Sequence, residues 1–350
     1  MPLSRELKPE PFCIEPTFSA RIWGARSLAP LFPEKINLPE AIGEAWLTDV
    51  QCRVATGAFA GKTLGEAWRE MPAEWRGSRF EEVGDFPLLV KFIFPTAKLS
   101  IQVHPGDEYA AVHEKAAGGR GKTEMWHAVA AEAGAQVLVG LKRGVTKEGF
   151  VAALADHTLE DCFVAHAVHE GDTFFIPAGT PHTIGPGMML CEVQQYSDLT
   201  YRVYDYGRVD AQGRPRELHV EKALEVMDFG ASRAGRVAPS ALPFEGARRN
   251  LLAACRYFAA ERWEFTATTR ANSRRECFEV LIILEGAGTI RWSGSPAAYG
   301  RGQCWFLPAC LGAFSLQPEQ KSTVLRAYVP DLGGLAEELR KSGASGSAIF

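Results

Sequence analysis

The chain has 350 residues, of which 46% are hydrophobic and 23% are charged, and its 42 acidic and 38 basic residues give a formal net charge of −4. These values are those of an ordinary globular protein with two domains or one large one, and they argue against a disordered or fibrous chain. Because charges of both signs are mixed along the chain, we expect neither nucleic acid nor a membrane as a partner.

The N-terminal stretch MPLSRELKPEPFCIEP carries charges and prolines where a secretory signal peptide needs an apolar run. Apolar runs elsewhere, such as residues 278–284, are far shorter than the ~20 residues that span a bilayer. The eight cysteines are scattered with no CxxC pair, which is typical of reduced thiols. We therefore expect a cytoplasmic protein.

Short runs rich in β-branched and aromatic residues, separated by glycine and proline, predict antiparallel strands of a sandwich or barrel. The clearest are FPLLVKFIF, QVLVGL, DTFFIP, TYRVYDY, CFEVLIIL and GTIRWS. Helical spacing is limited to residues 107–117, to residues 145–156 with Thr146 as a predicted N-cap, and to residues 335–343. The chain is thus predicted to be mainly β with a few short helices.

The stretch KLSIQVHPGD, residues 98–107, predicts a strand with an unusual polar face. Side chains alternate across a strand, so Ser100, Gln102 and His104 share one face. A half-solvated sheet is the ordinary interpretation of such a pattern. The alternative is a polar face that lines the interior of a small barrel.

The segment GDTFFIPAGTPH, residues 171–182, resembles the second sequence motif of the cupins. A strand ends at Pro177, Gly179 permits a tight turn, and the next strand directs His182 inward as a metal ligand. A weaker copy of this frame occurs in GQCWFLPACLGA, residues 302–313, where Ala313 stands in place of the histidine. We infer two related units, the second of which has lost its chemistry.

Residues 228–246 are rich in small residues and contain two prolines, which is typical of a domain linker. We therefore predict a catalytic, metal-binding cupin domain with small helical segments over residues 1–235. Residues 236–350 are predicted to form a degenerate cupin-like β domain that ends in a helix.

Four side chains form a candidate metal site. Gln102 and His104, at i and i+2 of one strand, can contact the same ion, and His182 and Glu124 complete a set with nitrogen and oxygen donors. Such donors suit zinc without excluding manganese, iron or cobalt. In the alternative without a metal, Glu124 pairs with Lys122 on a solvated strand. Glu192 is either a residue that orients a ligand or a surface acid.

A polar and basic cluster follows from Cys191 to Arg208. Thr200, Arg202 and Tyr204 share one face of the predicted strand. The guanidinium fork of Arg202 suits a phosphate or the negative charge of an enediolate, whereas a surface salt bridge is the ordinary alternative.

An ordered set of segments over residues 15–225 resembles the type I mannose-6-phosphate isomerases, of the shorter bacterial kind, within the cupin superfamily. The segments are RIWGARSL, GEAWLTD, PLLVKFIF, KLSIQVHPGD, GKTEMW, PAGTPHTIG and EVQQYSDLTYRVYDYGR. Two departures, Ala25 for glycine and Thr48 for serine, do not affect a presumed ligand. The resemblance implies two cupin-type (jelly-roll) β units.

The resemblance also implies the reversible conversion of D-mannose 6-phosphate to D-fructose 6-phosphate through a cis-enediolate, with one zinc ion per chain and a small phosphosugar as the binding partner. It puts the zinc ligands at Gln102, His104, Glu124 and His182. It gives Arg202 and Lys122 catalytic roles, and we expect Ser100, Lys122 and Arg202 to bind the substrate.

The general base stays open among Lys122, a metal-bound water and a histidine such as His127. Rival functions are another cupin sugar-phosphate isomerase, a metal dioxygenase and a non-catalytic sugar-sensing cupin. The intact ligand set argues against the last, because a unit without catalysis should resemble the second one.

Overall fold

The computed structural model describes residues 7–80, 82, 84–209, 212–230, 233–344 and 346–350. Within these ranges the strands before residue 205 are β1 (Phe12–Ile14), β2 (Thr17–Ala25), β3 (Ile42–Trp46), β4 (Leu88–Ile93), β5 (Ile101–Val103), β6 (Glu124–Ala131), β7 (Gln136–Leu141), β8 (Phe163–Ala167), β9 (Thr173–Ile176), β10 (His182–Ile184), β11 (Met188–Gln195) and β12 (Tyr201–Tyr204). The later strands are β13 (Gly235–Val237), β14 (Ser240–Leu242), β15 (Arg248–Ala254), β16 (Ala259–Phe265), β17 (Thr269–Asn272), β18 (Glu279–Glu285), β19 (Ala287–Arg291), β20 (Ala297–Gly300), β21 (Cys304–Leu307), β22 (Ala313–Pro318) and β23 (Ser322–Tyr328).

The α-helices of the described ranges are short. They are α1 (Leu64–Glu70), α2 (Ala73–Arg76), α3 (Asp107–His113), α4 (Lys147–Ala155), α5 (Val220–Val226) and α6 (Leu332–Ser342), with 3₁₀ turns at Ser78–Phe80, Lys115–Ala117, Leu159–Cys162 and Gly346–Ala348. In the described part of the chain, no helix has the length and apolarity needed to cross a membrane.

The strands form two sandwiches. In the first sandwich, a seven-stranded sheet of order β13-β9-β6-β11-β4-β3-β2 faces a five-stranded sheet of order β12-β5-β10-β7-β8. Side chains from both sheets, including Trp126, Phe174 and Ile184, fill the space between them. In the second sandwich, the sheet β1-β21-β18-β23-β16-β15-β14 faces the sheet β17-β22-β19-β20. The predicted fold of two jelly-roll units, mainly β, is confirmed.

The two seven-stranded sheets also pack against each other. Their outer faces share one apolar core, in which Phe278 of the second sandwich contacts the rings of Trp68 and Phe86 at centroid distances of 5.2 Å each. Strands with both faces covered should be apolar throughout. All six residues of β4 (LLVKFI) are buried and five of them are apolar, the exception being Lys91.

Helices cover the outer face of the five-stranded sheet. Ile101 and Val103 of β5 pack there against Phe150 of α4 and Ala223 of α5. Thr146 caps α4 as predicted, since its hydroxyl accepts a hydrogen bond from the Gly149 amide. Because the apolar face of β5 is buried under helices, its polar face is turned into the first sandwich.

The segment 228–246 contains strands as well as a connection. β13 pairs with β9 in the first sandwich, and β14 pairs with β15 in the second. Early in the chain, β1 pairs with β21 and therefore belongs to a sheet of the second sandwich. The division into domains of residues 1–235 and 236–350 stays a prediction.

Candidate active site

The predicted metal ligands converge inside the first sandwich. His182 at the start of β10 lies directly opposite Gln102 of β5, and Glu124 enters from β6 of the facing sheet. Gly179, at φ +84°, makes the turn before β10, and its amide donates to the His104 carbonyl, which ties the two ligand segments together. The ligand atoms of His104, Glu124 and His182 lie within 4.8 Å of one another.

Backbone carbonyls fix the orientation of both imidazoles. His104 Nδ1 lies 2.7 Å from the Leu199 carbonyl, and His182 Nδ1 lies 2.9 Å from the Thr180 carbonyl. Each Nδ1–H therefore donates to a carbonyl, and each Nε2 lone pair is directed at Glu124, at 3.5 Å from His104 and 3.4 Å from His182.

The charge state of these groups also suits a cation. Burial lowers the pKa of His104 far below its ordinary value and that of His182 to about 4, so both rings are neutral. His104 Nε2 and Glu124 Oε1 are buried without a hydrogen-bond partner. Buried polar atoms without partners are costly, and a divalent cation between them would satisfy both.

The Gln102 amide lies at the edge of this cluster. Its Nε2 is 3.2 Å from His182 Nε2, while its oxygen is 3.5 Å from the Ser100 hydroxyl. A half-turn of the amide exchanges its oxygen and nitrogen and would offer the oxygen to the same cation. Two imidazoles, one carboxylate and one amide oxygen form a borderline donor set that fits zinc.

Lys122 and Glu192 are buried beside the metal ligands. Lys122 Nζ lies 2.8 Å from Glu124 Oε2 and 3.9 Å from Glu192 Oε1. Burial opposes the lysine charge, but the two carboxylates outweigh it and raise the pKa of Lys122. Glu192 accepts a hydrogen bond from Trp126 Nε1 at 2.9 Å. The alternatives of a solvated Glu124 and a surface Glu192 are therefore wrong, because both carboxylates are buried.

A cavity of about 420 Å³ opens onto this cluster and is lined by Ser100, Gln102, Lys122 and Arg202, among others. The three residues predicted to bind substrate thus face one space. Arg202 lies opposite Gln102 in the β12–β5 pair. Its guanidinium donates to the Glu217 carbonyl at 2.9 Å, and within the described ranges it forms no salt bridge, so the surface-salt-bridge alternative is wrong.

His127 is not brought to the cavity. Alternation along β6 puts it on the face opposite Glu124, where its ring lies 3.1 Å from the Thr173 hydroxyl. It lines a different cleft, together with Arg262 of the second sandwich. The alternative in which His127 serves as the base is therefore wrong.

Several cavity residues were not predicted. Lys91 of β4 bonds to Asp198 at 3.1 Å, and Arg216 and His219 enter from the irregular segment after β12. Asp198 lies within one of the segments that carry the family resemblance. Arg216 and His219 lie in residues 205–219, whose sequence has no periodic pattern from which the direction of a side chain could be predicted.

The chain is similar to known proteins over most of its length. A family model described as the catalytic domain of phosphomannose isomerase type I matches residues 12–135. The chain is 33% identical over 316 residues to mannose-6-phosphate isomerase ManA of Bacillus subtilis, covering 88% of this chain and 96% of that protein. It is 32% identical to mannose-6-phosphate isomerase of Streptococcus mutans, over 85% of this chain and 92% of the relative.

Among solved structures, the mannose 6-phosphate isomerase of Bacillus subtilis has the same fold with a TM-score of 0.82. The two chains are 29% identical, and the match covers 91% of this chain and 99% of the other. The similarity therefore extends over both sandwiches.

Proposed function

The chain belongs to the phosphomannose isomerase type I family, and we propose that it interconverts D-mannose 6-phosphate and D-fructose 6-phosphate with one zinc ion bound by Gln102, His104, Glu124 and His182. The observation that carries this proposal is the buried cluster of His104, Glu124 and His182 at the wall of a polar cavity. Its isomerase activity follows from the family. The metal, the mechanism and the residue roles are inferred from the site.

Zinc held by these four residues would supply a Lewis acid close to the sugar oxygens that become negative as the proton moves between C2 and C1. The protein itself supplies rigidity. Both imidazoles are held by backbone carbonyls, and the ligands come from strands of two facing sheets. The site is therefore organised before the substrate arrives.

Proton transfer is assigned to Lys122, whose ammonium group lies in the cavity wall 2.8 Å from Glu124. A charged Lys122 can transfer a proton to the carbonyl oxygen at C1, and the neutral amine can then take the proton from C2, return it to C1 and regain a proton from the hydroxyl at C2. Arg202, beside Gln102, can hold negative charge on the enediolate oxygens or on the phosphate. Ser100 completes the cavity wall as a hydroxyl donor to the sugar.

The test is an assay of fructose 6-phosphate formed from mannose 6-phosphate by the purified protein, with and without oxygen. Treatment with a chelator should abolish activity, and zinc should restore it. In Glu124→Gln, which removes the only carboxylate of the set, we expect metal content and activity to be lost together.

The matched control is Glu170→Gln, since Glu170 is an exposed acid outside the cavity. It should retain both metal and activity. A metal-loaded wild-type protein that leaves mannose 6-phosphate unchanged would contradict the proposed substrate, and activity that depends on oxygen would favour a dioxygenase.

A further inference from the structure

The segment that follows β12 folds back along Arg202 and fixes it. The His219 amide donates to the Arg202 carbonyl at 2.7 Å, and the Arg202 amide donates to His219 Nδ1 at 3.3 Å. The Arg202 guanidinium in turn donates to the Glu217 carbonyl. Because this segment also brings Arg216 to the cavity wall, two guanidiniums face the same space.

Beside the cavity, the described residues of the segment 202–216 carry more positive than negative charge. Asp205 is a buried carboxylate that accepts hydrogen bonds from both Arg208 and Arg216, so two guanidiniums share one carboxylate. Arg202 adds a third cation. Its Nε is buried and has no hydrogen-bond partner. Burial, followed by the charge of Arg216, lowers the pKa of Arg202, while the Asp205 carboxylate acts in the opposite direction.

The other cations of the cavity are already paired. Lys122 lies against Glu124, and Lys91 lies between Asp198 at 3.1 Å and Glu44 at 4.0 Å. Arg21 contacts the same Glu44 at 2.6 Å. Among the described residues, the uncompensated positive charge of the cavity therefore belongs to the segment that carries Arg202 and Arg216.

We propose that Arg216 is a substrate-binding residue which, together with Arg202, holds the phosphate of the sugar and so makes the enzyme select phosphorylated over free sugar. This inference rests on the proposed function. A phosphate monoester carries close to two negative charges at neutral pH, and the guanidinium fork matches its oxygens. Asp205 holds the Arg216 side chain in place, so the cation is ordered before the anion binds.

The experiment compares Arg216→Gln with Arg208→Gln. Both arginines bond to Asp205 and both variants lose one charge, but Arg208 does not line the cavity and donates instead to the Lys98 carbonyl. For Arg216→Gln we expect KM for mannose 6-phosphate to rise about ten-fold to one hundred-fold, with a smaller change in kcat. Inhibition by inorganic phosphate should weaken by a similar factor. Arg208→Gln should leave all three unchanged.

A binding measurement provides a readout that does not depend on turnover. Titration calorimetry of the metal-loaded protein with inorganic phosphate should show weaker binding in Arg216→Gln alone. Arg216→Lys keeps the positive charge but lacks the paired N–H donors of the guanidinium, and we expect its KM to lie between those of wild type and Arg216→Gln. This variant replaces Arg216→Gln in the test if the glutamine variant does not fold.

The two proposals fail differently. Wild-type protein that is inactive on mannose 6-phosphate would overturn the proposed function. Active wild-type protein whose Arg216 variants match Arg208→Gln in KM and phosphate binding would overturn this inference and leave the isomerase intact.

Discussion

Three buried histidines of the first sandwich differ in the partner of their Nδ1 atom. His104 and His182 give their Nδ1 protons to backbone carbonyls and direct Nε2 at Glu124. His127 instead lies next to the Thr173 hydroxyl and has Arg262 nearby. His127 is separated from the candidate metal site because residues 124 and 127 of β6 are an odd number of positions apart and therefore lie on opposite faces of the sheet.

The buried His127 predicts a pH dependence of stability. Burial, followed by the charge of Arg262, lowers its pKa from 6.5 to about 3. Between these values the unfolded chain binds a proton that the folded chain does not, so stability is full above pH 6.5 and falls as the pH decreases. The slope for one such group approaches about 1.4 kcal/mol per pH unit.

We therefore expect the free energy of unfolding of His127→Asn to fall less steeply than that of wild type between neutral pH and about pH 5, with isomerase activity retained. Urea denaturation at several pH values measures this, with His169→Asn as the control, since the His169 side chain is 74% exposed. Equal slopes for wild type and His127→Asn would contradict the prediction.

At the scale of elements, the strand register relates the two sandwiches. Glu124 lies opposite Ile176, just before Pro177, and Glu279 lies opposite Leu307, just before Pro308. Glu279 therefore occupies the position that corresponds to Glu124, the proposed metal ligand. In the second sandwich the Arg326 guanidinium makes two hydrogen bonds to Glu279, one of them 2.8 Å long, so an arginine takes the place of the cation.

This ion pair predicts strong coupling between its members. Arg326 and Glu279 are both buried, and Arg326 also lies 3.4 Å from Glu261. Removing one partner leaves a buried charge without its counter-ion, so Arg326→Met should lower the free energy of unfolding by about 3–5 kcal/mol. Removing both charges in Arg326→Met/Glu279→Leu should cost less than the sum of the single changes.

Urea denaturation of the four proteins measures this double-mutant cycle, with metal content as a control that should stay constant. Additive single changes would contradict the coupling. Zinc lost only in the Glu279 variant would instead indicate that the second sandwich contributes to the metal site.

The proposed metal ligands could be selected from the sequence because they follow rules of strand period and turn geometry. Gln102 and His104 alternate on one strand, and the turn at Gly179 precedes His182. Arg216 was not predicted because it lies in an irregular segment, where the sequence has no periodicity that indicates the direction of a side chain. The predicted helix over residues 107–117 is α-helical only to His113. Glu114 leaves the helical conformation at φ −127°, and a 3₁₀ turn follows that ends at the left-handed Gly118.

At the scale of the whole molecule, the two sandwiches share a core. The sequence does not identify which strands meet in this core, because β4 and β18 come together through contacts between residues that are distant in sequence. Phe12 of β1 stacks on Phe306 of β21, and Phe350, at the end of the chain, stacks on Phe175 of β9 with centroids 3.9 Å apart. Phe350, whose amide also donates to the Ala254 carbonyl of β15, therefore contacts both sandwiches.

A substitution at Phe278 tests whether the shared core makes the two sandwiches unfold as one cooperative unit. Its ring is fully buried and contacts rings of both sandwiches, with Trp68 on one side and Phe306 on the other at centroid distances of 5.2 Å and 5.0 Å. Phe278→Ala should cost about 3–5 kcal/mol through lost contacts and the cavity left behind. If both sandwiches open together, amides of β11 and β23 should exchange faster by the same factor.

Hydrogen-exchange mass spectrometry of the metal-loaded protein measures this, with Phe314→Ala as the companion variant. Phe314 is buried inside the second sandwich and belongs to its separate apolar core, so it tests cooperativity without altering the contact between the sheets. We expect Phe314→Ala to accelerate exchange in β11 as well as in β23. Acceleration confined to the second sandwich would show that the two units open independently, and the shared core would then join two separately stable bodies.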